Sequence, residues 1–119
     1  MWFLLCGVYG LSGVAMGAFA AHALKTRLDA SALDIIQTAT QYQLLHAVAM
    51  LALLGLAEAG RGQQIALVCF ALAIPLFSGS LYLLALTGAK WAGPITPLGG
   101  LLFLAGWAAV VSLAWTRPA

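Results

Sequence analysis

Apolar residues fill four stretches of this chain so completely that residues 1–24, 35–57, 62–89 and 91–116 contain no Asp, Glu, Lys or Arg. A helix needs about 20 residues to cross a hydrocarbon core of ~30 Å, and every stretch reaches that length. The pattern predicts an all-α membrane protein. Its helices are expected over about 2–24, 32–58, 64–87 and 97–115, as one four-transmembrane-helix bundle running up, down, up and down.

The polar positions between and within these stretches predict where the helices begin and bend. Lys25, Arg27, Asp29, Asp34, Gln37 and Gln41 form one polar interlude. Ser31 followed by Asp34 reads as an N-cap with a capping-box acid, so a short amphipathic helical lead-in is expected before helix 2. Asp34, Thr38, Tyr42 and His46 recur every fourth residue and form one stripe on a helix face. The second span is expected to end near Glu58. Ala59-Gly60-Arg61-Gly62 predicts a short turn, which makes helices 2 and 3 antiparallel neighbours. Pro75 falls in the middle of the third span. It has no N–H and crowds the carbonyl of Ala71, so a kink is expected there, with Ser78 or Ser80 as donor to the freed carbonyl. Thr96 before Pro97 reads as N-cap and first residue of the last helix, which ends before Arg117-Pro118.

Within helix 1, Gly7, Gly10, Gly13, Gly17 and Ala21 share about a third of the circumference at ~100° per residue. Close approach over small residues holds helices together in lipid. The stripe is expected to pack against this chain's own helices, with a homodimer face as the alternative. Cys6 and Cys69 lie inside spans at similar expected depth and read as small buried hydrophobes, although a pair is geometrically allowed.

Composition narrows the picture. The 119 residues are 64% hydrophobic and 7% charged, whereas soluble domains carry about 25% charged residues. Four spans use up the length and leave no room for a soluble domain. The net charge of +2 is scattered over loop positions, so no basic patch points to nucleic acid. Met1 is followed directly by Trp2-Phe3-Leu4-Leu5 with no basic n-region, which predicts a retained first helix over a cleaved signal. Trp2, Trp91 and Trp115 fall at predicted interfaces as aromatic anchors. Arg61 and Arg117 lie on one side, and Lys25, Arg27 and Lys90 on the other. The terminal amine offsets that margin, so charge alone does not orient the chain.

The up-down path gathers His22, Tyr42, Gln43, His46, Ser78, Ser80, Tyr82 and Thr96 into a polar belt in the half of the bundle facing Lys25. An unpaired polar group in hydrocarbon costs several kcal/mol. The belt is therefore either a structural network or a small pocket for a lipid headgroup, a quinone-like molecule or a solute. A two-histidine metal site is underfilled, since Asp34 lies three turns, or ~18 Å, from His46. Catalytic motifs are missing. Gly99-Gly100 lacks a phosphate-gripping lysine, and Ser78-Gly79-Ser80 is not a nucleophile elbow. No acid lies inside a span to power proton coupling, and no inverted repeat is evident.

Several strings then carry a likeness: Gly17-Ala18-Phe19-Ala20-Ala21-His22-Ala23-Leu24-Lys25, Tyr42-Gln43 with His46-Ala47, Leu76-Phe77-Ser78-Gly79-Ser80-Leu81-Tyr82, Pro94-Ile95-Thr96-Pro97-Leu98-Gly99-Gly100, and Ala105-Gly106-Trp107. In this order the chain resembles the family known as domain of unknown function 423, also grouped as uncharacterised protein family 0382, small bacterial inner-membrane proteins. Ala20 departs from the pattern, where relatives often carry Gly. The resemblance implies an inner-membrane location with both termini in the cytoplasm, and it implies no reaction and no cofactor. The expectation is a non-catalytic accessory or lipid- or small-molecule-binding module, with a small channel or transporter-like protein as the alternative and a membrane enzyme behind it. Membrane lipid, a second copy of the chain or another membrane protein are the expected partners.

Overall fold

A computed structural model describes residues 1–57 and 60–116. The expected endpoint at Glu58 and the tail at Arg117-Pro118 lie outside the described residues. Helices α1 (Trp2–His22), α2 (Ala30–Leu54), α3 (Arg61–Ile74), α4 (Ser80–Thr87) and α5 (Thr96–Thr116) make up nearly all of the rest. A π-helical turn at Pro75–Gly79 joins α3 to α4, so the two form one bent rod. Short 3₁₀ turns at Leu24–Thr26 and Lys90–Ile95 make the other connections.

Side-chain pairings fix an antiparallel order. Gly13 of α1 meets Leu44 of α2. One turn further on, Gly17 and Ala21 share a groove with Ile36 and Thr40. Likewise Gly62 faces Ser112, Phe70 faces Gly106 and Phe77 faces Gly99. The pairing steps down one helix as it steps up the next, as an up-and-down bundle requires.

The distribution of apolar side chains is inverted relative to a soluble protein. Leu11 is 75% exposed and Leu4, Leu45, Val48, Leu101 and Leu104 are also exposed, while Ser78 is 0% and His46 2% exposed. Large apolar side chains facing outward over polar ones facing inward suit a hydrocarbon surround. Among the described residues, three helical segments are long and apolar enough to cross a membrane: Trp2–His22, Arg61–Thr87 and Lys90–Thr116. Helix α2 has the length, at 25 residues, but Gln37, Gln41, Gln43 and His46 interrupt its apolarity.

Several local expectations are corrected. The cap of α2 is Asp29, whose carboxylate accepts from the N–H of Ala32 at 2.8 Å. Ser31 and Asp34 lie within the helix, so the lead-in is simply the first turns of α2. The buried face of that helix runs through Ile36, Ala39, Gln43, His46, Met50 and Leu53, close to a 3.5-residue period. The predicted stripe splits: Asp34, Thr38 and Tyr42 are exposed and only His46 is buried. Helix α3 begins at Arg61, and Thr96 already has helical backbone angles, so it does not cap α5. At the far end of the bent rod, Gly88 takes the left-handed conformation (φ 71°) and its N–H returns to the carbonyl of Leu84, which is how helices commonly stop.

The small-residue stripe of α1 is mostly unused by this chain. Only Gly13 is buried against a neighbour. A Cβ at Gly7, Gly10 or Gly17 would meet nothing within 4 Å, and Ala21 is exposed. The tightest helix contacts fall instead on α5. There Gly99 lies against the backbone of Phe77 and Gly106 against the ring of Phe70. Cys6 is buried in the apolar core with Met50, Leu67, Phe70 and Phe103, and both cysteines are free.

Candidate functional site

Gln43 sits near the midpoint of α2 and turns both its amide nitrogen and its amide oxygen to neighbouring helices. Its amide nitrogen donates to the carbonyl of Tyr9 and to the hydroxyl of Ser12, each at 2.8 Å. Its amide oxygen accepts from the hydroxyl of Tyr82 at 2.7 Å. One side chain thereby ties α1, α2 and α4 together.

His46, one turn along the same face, ties α2 to α5. The indole N–H of Trp107 donates to its Nε2 at 2.9 Å. An indole nitrogen can only donate, so Nε2 carries the lone pair and Nδ1 carries the proton. Nδ1 then donates to the carbonyl of Tyr42 at 2.7 Å. The ring is thus a neutral imidazole of defined tautomer. It stacks on Phe103 with centroids 3.8 Å apart and meets the edge of Phe70 at 5.0 Å. Both ring nitrogens are occupied, which leaves no free lone pair for a metal.

Two serines complete the ties around the π turn. Ser78 donates to the carbonyl of Ala39 on α2 at 2.7 Å. Ser80 donates to the carbonyl of Phe77 at 2.8 Å, which leaves its oxygen to accept from the hydroxyl of Thr96 on α5. The expectation that Ser78 or Ser80 pairs with the carbonyl freed by Pro75 is corrected. Proline has no N–H to give the carbonyl of Ala71, and the hydroxyl of Tyr9 donates to that oxygen at 2.6 Å. Tyr9→Phe is expected to cost about 1 kcal/mol, in line with other interhelical hydrogen bonds in membranes. Denaturation in mixed detergent would measure it, and an unchanged midpoint would remove this bond from the network.

Of the expected belt residues, the structure brings together Gln43, His46, Ser78, Ser80, Tyr82 and Thr96. Tyr42 contributes its carbonyl and packs its ring at 4.7 Å from that of Phe77, but its side chain is exposed. His22 is exposed at the last turn of α1 and takes no part in these contacts. Tyr9, Ser12 and Trp107 join the network without having been singled out as members. Trp107 carried a signal, because a tryptophan far from either interface must find an acceptor for its N–H. Among the described residues one buried polar side-chain atom lacks a partner, the amide oxygen of Gln63, whose nitrogen donates to the carbonyl of Leu53 near the end of α2.

The sequence pattern of a protein family of unknown function, DUF423, matches residues 16–100. The chain belongs to the DUF423 family. The match covers the second half of α1 through the start of α5 and so includes Gln43, His46, Ser78, Ser80, Tyr82 and Thr96. The chain is 42% identical over 112 residues to a UPF0382 membrane protein of Haemophilus influenzae, covering 93% of this chain and 88% of the relative. It is 38% identical over 113 residues to a UPF0382 membrane protein of Staphylococcus saprophyticus, covering 93% of each. It is 42% identical over 111 residues to the UPF0382 inner membrane protein YgdD of Escherichia coli, covering 88% of this chain and 82% of the relative. No solved structure matches the chain. These relatives carry the names of membrane proteins, one of them an inner membrane protein, and the apolar helices of this chain suit the same surround.

Proposed function

We propose that this DUF423 protein is a non-catalytic accessory protein of the inner membrane, crossing it four times with both termini in the cytoplasm. Its polar belt locks the four helical rods into one rigid body and does not line a solute path. The observation that carries this reading is the pairing of Gln43 and His46. The two are 4% and 2% exposed, and between them they hydrogen-bond to three other helices of the same chain.

The same inward direction supports α2 as a fourth crossing. Its polar residues at Gln43 and His46 turn toward the bundle, while Leu45, Val48 and Leu51 face outward, which lowers the cost of placing this less apolar helix in lipid. The bend at Pro75 reads as static, since bonds from Tyr9 on α1, from Ser78 to α2 and between Ser80 and Thr96 of α5 hold it from three sides. The open face of α1 at Gly7 and Gly10 supports the accessory role, because a helix of another membrane protein or of a second copy approaches closely over such residues.

Single-cysteine labelling tests the reading. In a background with Cys6 and Cys69 replaced by alanine, cysteine at Ser78 should stay unreactive to a membrane-impermeant maleimide in intact membranes. Cysteine at Gly60 should label only from the cytoplasmic face, and cysteine at Thr26 or Ala89 only from the opposite face. Labelling at Ser78 would mean an aqueous path through the bundle. Labelling of Gly60 and Thr26 from the same face would remove α2 as a crossing.

A further inference from the structure

The polar network leaves one part of the bundle open. Between the second half of α1 and the first half of α2 runs a groove of about 530 Å³. Its floor is Gly17, Ala20, Ala21 and Ile36, and its outer wall carries Gln37 and Gln41. Lys25 closes its wet end. The core cluster does not reach this groove, because its members Cys6, Met50, Leu53 and Leu67 gather toward the opposite end of the bundle.

We propose that this groove holds one anionic phospholipid, with Lys25 on the phosphate-bearing headgroup and the upper acyl chain along Gly17, Ala20 and Ile36. Three observations point to that occupant. The first is charge: Lys25 is the one charged residue lining the groove, with no carboxylate among its neighbours there. An ammonium attracts an anionic headgroup most where lipid and water meet. The second is the gradient along the groove. On the α1 side the lining passes from the cation Lys25 to alanine and glycine over the two turns to Gly17, roughly 12 Å of chain, with the amides of Gln37 and Gln41 alongside on α2. Such a gradient matches a headgroup at Lys25 and an acyl chain along the small residues, with the amides placed to meet the glycerol esters. The third is volume, since about 530 Å³ falls within the range of small-molecule sites and accommodates a headgroup with part of one chain. Leu24 is buried beside Lys25, and the N–H of Arg27 bonds the carbonyl of Leu24. That 3₁₀ turn fixes the lysine at the mouth. Nothing in this proposal draws on the belt, so it stands or falls apart from the locking role.

Native mass spectrometry of the detergent-purified full chain would test it, with phosphatidylglycerol and phosphatidylcholine added at equal concentration. The expected result is a single retained phosphatidylglycerol in several-fold excess over phosphatidylcholine. Lys25→Gln should cut that excess by about fivefold, the weight of one lysine at a lipid surface. Gly17→Leu should remove the retained lipid of either kind, because a Cβ at Gly17 meets no atom within 4 Å and the larger side chain would occupy the groove without disturbing the fold. Equal retention of the two lipids by the native protein would overturn the proposal. So would an unchanged preference in Lys25→Gln, or a bound lipid that survives Gly17→Leu.

Discussion

Gly99→Ala is expected to lower stability by about 3 kcal/mol, at the upper end of overpacking costs, while Gly100→Ala beside it should be neutral or slightly stabilising. A Cβ at Gly99 would fall inside contact distance of the backbone nitrogen and Cα of Phe77. A flexible side chain could swing away from such a clash, but the backbone of Phe77 belongs to the π turn that carries Ser78 and leads into Ser80. Pushing α5 away there would also stretch the bond between Ser80 and Thr96. At Gly100 a Cβ meets nothing within 4 Å, and alanine gains roughly 0.8–1 kcal/mol of helix propensity over glycine. Paired unfolding curves in mixed detergent would compare the two. Equal midpoints would show that α5 can slide without cost and that the Phe77 contact is loose.

That contrast bears on how much of the molecule was legible in its sequence. The helical rods follow from runs without charge, because hydrocarbon admits only self-satisfied backbone. The bend follows from the chemistry of Pro75. Which glycines carry close contacts does not follow from spacing. Gly7, Gly10, Gly13 and Gly17 line up on one face of α1, yet only Gly13 meets a neighbour. Gly99 and Gly106 lie seven residues apart on α5 and take the load, because α5 lies along α3 and the π turn whereas α1 packs mainly on α2. Spacing fixes a face but not the helix that meets it.

The belt was legible in its chemistry and incomplete in its membership. Polar side chains in apolar spans must find partners, so Gln43, His46, Ser78, Ser80, Tyr82 and Thr96 were readable as a group. Depth was the harder quantity. Tyr9 and Ser12, well before His22 on α1, were not among the expected members, yet they meet Gln43 near the middle of α2. His22 was expected among them and is exposed. The partner of the Ala71 carbonyl was also not readable, since a freed acceptor names only its position, and the donor came from a different helix.

His46→Ala should cost about 3 kcal/mol, the expected sum of an emptied aromatic site and an abandoned donor. The ring fills the space between Phe70 and Phe103, and its loss leaves the indole N–H of Trp107 facing a hole. The alanine variant alone does not separate packing from hydrogen bonding, so the informative measurement is a cycle of His46→Phe, Trp107→Phe and the double variant. His46→Phe keeps the ring and removes the acceptor. Trp107→Phe removes the donor and leaves Nε2 unpaired. Each single change should destabilise the bundle, and the double change should cost less than the two together, because it leaves neither group unpaired. The expected coupling is about 0.6 to 1.7 kcal/mol, between the average and the maximum measured for interhelical bonds in a membrane protein. If the histidine serves a bound molecule and not the helix lock, the two losses will simply add, and His46→Phe will leave stability untouched.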